Sequence, residues 1–149
     1  MHPDICGASD VLDLWTAGPK SLTSKERLLA MVSALLHIDR EGIAGDVVEC
    51  GVWRGGNIIL ARKLSPDRVC WLYDTFEGMS EPSADLDGAD LVRRYEAMQK
   101  CGEPWCRASL EDVRGVLDAA GVLDESKLRF VVGDVIATLQ IKPTIPDRI

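Results

Sequence analysis

Three points in the sequence put chemically useful residues at the ends of apolar runs. The first is Glu49-x-Gly51-x-x-x-Gly55-Gly56, which follows Val47-Val48 and leads into Ile58, Ile59, Leu60 and Ala61. Glycines in such a turn allow positive φ and let a ligand approach the backbone with no Cβ in the way. The spacing is not the G-x-G-x-x-G that sets a pyrophosphate on a helix N-terminus. Glu49 would repel a pyrophosphate but suits a ligand carrying a cationic amine. The second point is Asp74, 23 residues after Gly51 at the end of a second apolar run. A carboxylate there is placed to accept hydrogen bonds from two ribose hydroxyls. The third is Asp134-Val135, just past Phe130-Val131-Val132, positioned to border an adenine. A ligand with an amine, a ribose and an adenine but no phosphate is S-adenosylmethionine.

Each residue also has a plainer reading. The glycine turn could be only a tight connection, Asp74 a surface acid, and Asp134 an N-cap. Ser109 reads first as an N-cap, and Trp53 and Trp105 serve equally as packing residues or as walls of a nucleoside site. The conjunction of three strand ends, in the order a parallel sheet demands, favours the nucleoside.

Holding three such points on one edge requires alternating strands and helices. Residues 1–20 carry little periodicity and read as an arm or loop; 21–149 read as a partial Rossmann-like domain. Thr23 and Glu26 have capping-box spacing. Leu28, Leu29, Val32, Leu35 and Leu36 then give one helical face that ends at Gly42. Val47–Cys50 forms a strand, Ile58–Leu64 a helix broken by Pro66, and Val69–Tyr73 a strand ending at Asp74. Thr75–Gly88 reads as a long loop, followed by a helix from about Ala89 to Lys100. Ser109 and Asp112 cap a further helix running to about Ala120, and Leu128–Val132 makes a third strand. Strands apolar on both faces indicate a mainly parallel sheet covered by helices, with ligands outside the strand C-termini. A strand order of 3-2-1-4-5 would make Val47–Cys50 central. With no fourth strand its outer edge lacks a partner, and the chain is expected to self-associate through it, as a homo-oligomer, or to aggregate.

The 149 residues are room for one domain, and 17 basic against 24 acidic side chains give a net charge of −7. That balance disfavours nucleic acid and anionic membranes as partners. No apolar run approaches the ~20 residues of a bilayer span, and no signal peptide opens the chain, so a cytoplasmic location is expected. Five cysteines at irregular spacing read as reduced thiols, Cys50 and Cys70 as small hydrophobes within strands. Cys101 and Cys106 lack the further ligands of a metal clip.

The segments GDVVECGVWRGG (Gly45–Gly56), LYDTFEGM (Leu72–Met79) and WCRASLEDVR (Trp105–Arg114) resemble the macrocin O-methyltransferase family. TSKERLLA at the first helix and FVVGDV at the third strand extend the likeness over about Ser21 to Ile149. The resemblance implies a class I methyltransferase fold. It also implies S-adenosylmethionine as cofactor, Mg²⁺, and the hydroxyl of a sugar or glycoside natural product as acceptor. It places Glu49 and Gly51 near the methionine part, Asp74 at the ribose, and Ser109, Asp134 and Val135 around the adenine. Trp53 and Gly55, in the same turn, complete the expected cofactor site. Asn57 stands where the family usually has Ser, and Gln140 where it usually has Pro.

In that family a fourth strand ending in L-D-T-D follows shortly after the position of Ile149, and its aspartate is metal ligand and candidate base. None of the 24 acids takes that place. The expectation is therefore a truncated member, with the cofactor half present, no metal ligands and no assigned catalytic residue, inactive alone. The rivals are a nicotinamide-type oxidoreductase, opposed by Glu49 and the glycine spacing, and a non-catalytic nucleoside-binding or interaction module.

Overall fold

Short runs of β-branched and aromatic residues, each closed by a turn, set up the sheet. A computed structural model describes residues 20–102, 105–141 and 146–149. Among them are helix α1 (Lys25–Arg40), strand β1 (Val47–Cys50), α2 (Gly56–Leu64) and β2 (Cys70–Asp74). These are followed by α3 (Ala84–Asp87), α4 (Ala89–Lys100), α5 (Leu110–Ala119), β3 (Leu128–Val132) and α6 (Val135–Thr138). The strands are all parallel, in the order β1-β2-β3. The register pairs Cys50 with Tyr73 and Asp74 with Val132, so the strand C-termini end on one edge. Two ladder bonds carry past the strands there: Gly51 N–H donates to Tyr73 O and Gly133 N–H to Asp74 O, both at 2.9 Å.

Helix α2 shows why the sequence there is apolar nearly all round. Ile58, Ile59, Leu60 and Ala61 are all buried, because the helix is covered on both sides. Ile58, Ile59 and Ala61 join Cys70, Leu72, Val113, Leu117 and Leu128 in the main core. Leu60 meets Leu28 and Val32 of α1 in a second cluster. Burying each of these large side chains contributes about 1.5–3 kcal/mol. Arg62, also buried, is stabilised by the carbonyls of Pro66 and Arg68.

Several expectations are corrected. The N-cap of α1 is Ser24, one residue later than the capping-box spacing implies, and the Ser24 side chain makes no capping bond. The Thr23 hydroxyl is instead turned to Asn57. Leu29 leaves the apolar face and is 43% exposed, while Leu28, Val32 and Leu35 are buried. The stretch 75–88 is not all loop, since Ser83 caps α3 by accepting from Leu86 N–H at 3.3 Å. Cys50 is exposed at the strand end, whereas Cys70 is buried, which pushes its thiol up to about 11. The outer edge of β1 is met at its start, where Asp46 N–H donates to Arg148 O at 2.9 Å. Along Val47–Cys50 no strand among the described residues pairs with that edge. The expected arm at 1–20 lies outside the described residues except for Lys20.

Candidate functional site

The parallel register brings the three candidate points together. A cleft of about 320 Å³ opens beyond the strand C-termini, lined by Gly51, Trp53, Asp74, Gly133, Asp134 and Val135. The loop after β2 supplies its other wall through Thr75, Gly78, Met79 and Ser80, with Tyr73 and Cys106 adjoining. Leu22, before α1, stands at the margin. Five of the eight expected cofactor residues therefore face one space: Gly51, Trp53, Asp74, Asp134 and Val135. Glu49, Gly55 and Ser109 are not among its lining residues.

The glycine turn is shaped by Asp74. Its Oδ2 accepts from Val52 N–H at 2.6 Å and Trp53 N–H at 3.1 Å, and its Oδ1 from Phe76 N–H at 2.9 Å. One carboxylate thus gathers three backbone donors from two loops, and of its roughly four acceptor positions about one is left for a ligand. The turn itself needs positive φ at Gly51 (83°) and at Gly55 (78°). Gly55 is buried, and a Cβ there would lie 3.3 Å from the Leu117 side chain. Among the described residues the non-glycine positions with positive φ are Trp53, Phe76 and Cys106. Two line the cleft and the third follows Asp74. Such strained conformations persist where surrounding contacts over-determine them, and they gather at ligand sites.

Glu49 behaves differently from Asp74. Its Oε1 accepts from Asn57 Nδ2 at 2.7 Å, but its Oε2 is buried and has no hydrogen-bond partner among the described residues. Burial pushes its carboxyl up to about 7, against the pull of the Asn57 amide, and the neighbouring Asp74 charge adds to the rise. An orphaned buried acceptor of this kind costs free energy unless a donor arrives. A cationic amine is the donor that suits it best.

Ser109 forms a full capping box with Asp112: each side chain accepts from the other's backbone N–H, at 3.1 and 3.0 Å. Asp134 accepts from Ile136 N–H at 2.7 Å and so caps α6 while lining the cleft. The N-cap reading and the cleft reading hold together for it. Trp105 lends its carbonyl to Met79 N–H at 2.8 Å, which ties the loop after β2 to the start of the Cys106 wall. Thr75, Met79, Ser80 and Cys106 also wall the cleft, in or directly after the LYDTFEGM and WCRASLEDVR segments but with no spacing that marks them individually. Asn57 is legible in the sequence only as a departure from the Ser usual in the family. A polar residue ahead of the apolar run Ile58–Ala61 is the available signal.

For magnesium the described residues offer no fit. Among them no group of three or more His, Cys, Asp and Glu converges as a metal site. Asp87 accepts from Ser83 N–H and Asp90 pairs with Arg93, both within their own surface helices.

The family model described as macrocin-O-methyltransferase (TylF) matches residues 10–146. The chain belongs to this family. Among curated members, it is 32% identical over 136 residues to the 8-demethyl-8-(2,3-dimethoxy-alpha-L-rhamnosyl)-tetracenomycin-C 4'-O-methyltransferase of Streptomyces olivaceus. That match covers 87% of this chain and 50% of the relative. It is 31% identical to the demethyldecarbamoylnovobiocin O-methyltransferase of Streptomyces niveus, over 89% of this chain and 49% of the relative. A match of 32% identity to the mycinamicin III 3''-O-methyltransferase of Micromonospora griseorubida covers 63% of this chain and 38% of that enzyme. The solved structure of the O-methyltransferase NovP superposes with a TM-score of 0.68 at 28% identity, over 83% of this chain and 51% of that one. The chain spans about half the length, or less, of the curated relatives it matches. The parallel α/β fold expected from the alternation of strands and helices is shared with the NovP O-methyltransferase structure, as the family resemblance implies.

Proposed function

We propose that this chain forms the S-adenosylmethionine-binding part of an O-methyltransferase whose acceptor is a sugar hydroxyl of a natural product. The observation that carries the reading is Glu49 Oε2, a buried acceptor without a donor among the described residues, two positions before Gly51 in the wall of a cleft that Asp74 also lines. In this arrangement Glu49 takes the ammonium of the amino-acid portion. Gly51 lets the ligand lie against the turn, while Gly55 lets the same turn pack closely on Leu117. Asp74 offers its remaining acceptor position to the ribose, and Trp53 walls that face. Asp134 and Val135 border the adenine, with Ser109, three residues beyond the cleft-lining Cys106, at the same end while its hydroxyl caps α5. S-adenosylmethionine supplies a methyl group on a sulfonium. The chain's own contribution is to hold that group in a fixed orientation, the positional part of catalysis.

The acceptor class is supported by the relatives' names, which describe O-methylation of glycosylated natural products. No helix among the described residues is long and apolar enough to cross a membrane. No residue here is assigned to activate the hydroxyl or hold Mg²⁺, so the 149-residue chain is expected to bind cofactor and transfer nothing measurable. Titration calorimetry with S-adenosylhomocysteine and with NAD decides the reading. The expected result is binding of the first and none of the second; no binding of S-adenosylhomocysteine at millimolar concentration overturns it. Labelled methyl transfer to a panel of deoxysugar glycosides, with Mg²⁺ and with EDTA, tests the expected inactivity.

A further inference from the structure

Glu49 and the segment preceding α1 meet at one side chain. Asn57, in the first turn of α2, donates from Nδ2 to Glu49 Oε1 at 2.7 Å and, more weakly, to Thr23 Oγ1 at 3.4 Å. Its Oδ1 accepts from Ser21 Oγ at 3.0 Å. Ser21 Oγ in turn accepts from Thr23 N–H at 3.0 Å, which closes the segment into a local turn. Both ends of the amide are used, and the reversed orientation would set its oxygen against the carboxylate, so the partners determine the orientation. The segment also lies directly on α2. A Cβ at Gly56 would sit 2.7 Å from the Lys20 carbonyl oxygen and 2.8 Å from Ser21 Cβ. Between these anchors Leu22 is 67% exposed and reaches the cleft.

We propose that Asn57 is a positioning residue that fixes the Glu49 carboxylate toward the amino-acid end of the ligand and, through Ser21 and Thr23, holds Lys20–Thr23 as a strap along the cleft. The ligand half of this rests on the cofactor reading above; the strap half rests only on the bonds to Asn57 and on Gly56. Three partners explain why an amide serves here. A serine has one hydroxyl and cannot donate to Glu49 and Thr23 while accepting from Ser21. Occupancy of the amino-acid subsite and order in the strap are thereby linked through one side chain.

The test compares the full 149-residue chain with Asn57→Ala, Asn57→Ser and Gly56→Ala. Without ligand, amide exchange is measured at Thr23 and the Glu49 carboxyl is titrated by carbon NMR. Asn57→Ala is expected to speed Thr23 exchange about tenfold and to move the Glu49 titration upward, because a donor to the ionised form is lost. Asn57→Ser recovers part of one effect but not both. Gly56→Ala speeds Thr23 exchange and leaves the Glu49 titration in place. With ligand, Asn57→Ala weakens S-adenosylhomocysteine about tenfold and leaves adenosine, which lacks the amino-acid portion, unchanged. Unchanged exchange with an unmoved titration overturns the proposal, as does an equal loss for both ligands. Should Asn57→Ala not fold, Asn57→Ser carries the same readouts. Absence of binding by the wild-type chain, with the ligand-free shifts as stated, defeats the cofactor reading and leaves the strap and its Asn57 anchor standing.

Discussion

The ends of β1 and β2 each carry a carboxylate, 25 residues apart in sequence and neighbours in space, yet the two are in opposite condition. Asp74 accepts from three backbone N–H groups and is nearly saturated by the protein itself. Among the described residues Glu49 has one hydrogen-bond partner, Asn57, and one buried oxygen with none. The contrast separates two jobs that acids at strand ends perform. Asp74 builds the glycine turn, and on the cofactor reading any contact with a ribose would be added to that duty. Glu49 stabilises nothing by its second oxygen, which is the condition of a group held for something outside the fold.

The difference is open to direct attack. The largest effect is expected at Asp74. Asp74→Ala leaves three donors without their acceptor and should lower stability by about 3–5 kcal/mol in urea unfolding. Asp74→Asn, which keeps an acceptor oxygen, should lose clearly less. An Asp74→Ala chain as stable as the wild type would remove the turn-building role. Glu49→Gln should act in the opposite direction. Its carboxyl is raised from 4.5 to about 7 in the folded state, so the native form holds the extra proton between those values. Stability therefore falls as pH rises from about 4.5 to 7, and the full cost is present above 7. Glu49→Gln should remove that slope and gain on the order of 3 kcal/mol at pH 8. Unfolding series at pH 4.5 and 8 supply the check.

Ligand affinity should run against stability across the same window. S-adenosylhomocysteine should bind roughly tenfold more tightly at pH 8 than at pH 6, as Glu49 ionises and can pair with an ammonium. Adenosine should show no such dependence, and a flat profile for both would dissociate Glu49 from the ligand. A smaller effect is expected at the far end of the site. Ser109→Ala breaks the capping box and should cost about 1 kcal/mol of stability, with less than a twofold change in S-adenosylhomocysteine affinity. A larger loss of affinity would give the hydroxyl a ligand role beside its cap. The weakest expected effect is self-association along Val47–Cys50, opposed by the net charge of −7. Sedimentation velocity over a range of concentrations would show it as a rising weight-average coefficient, and a constant monomer value would reject it.

What could be read from the sequence divides along physical lines. Strand β1 and helix α4 carry their own boundary signals in glycines and apolar runs, and both emerge with the expected residues. The parallel order also follows from runs apolar on both faces, because such strands need cover on two sides. Spacing alone could not show the saturation of Asp74, whose partners at Val52 and Trp53 come from a different turn. It likewise assigned Thr23 to a local cap, when its hydroxyl is drawn to Asn57, 34 residues away. Local patterns report which bonds a side chain is able to make; packing decides which of them it makes. Ser109 and Asp134 were legible as caps because their partners lie within three residues.

Trp53 gives the cleft an optical property. Its indole lines the cavity in a left-handed backbone conformation, with the Arg54 guanidinium 5.2 Å from the ring centroid. Trp71 has its ring nitrogen engaged by Asp46 at 2.8 Å, away from the cavity wall. This indole thus sits at the cavity wall beside a positive charge that shifts its emission. On the cofactor reading proposed above, a molecule stacking on that ring would alter the emission, and the glycine turn would serve as its own fluorescent gauge.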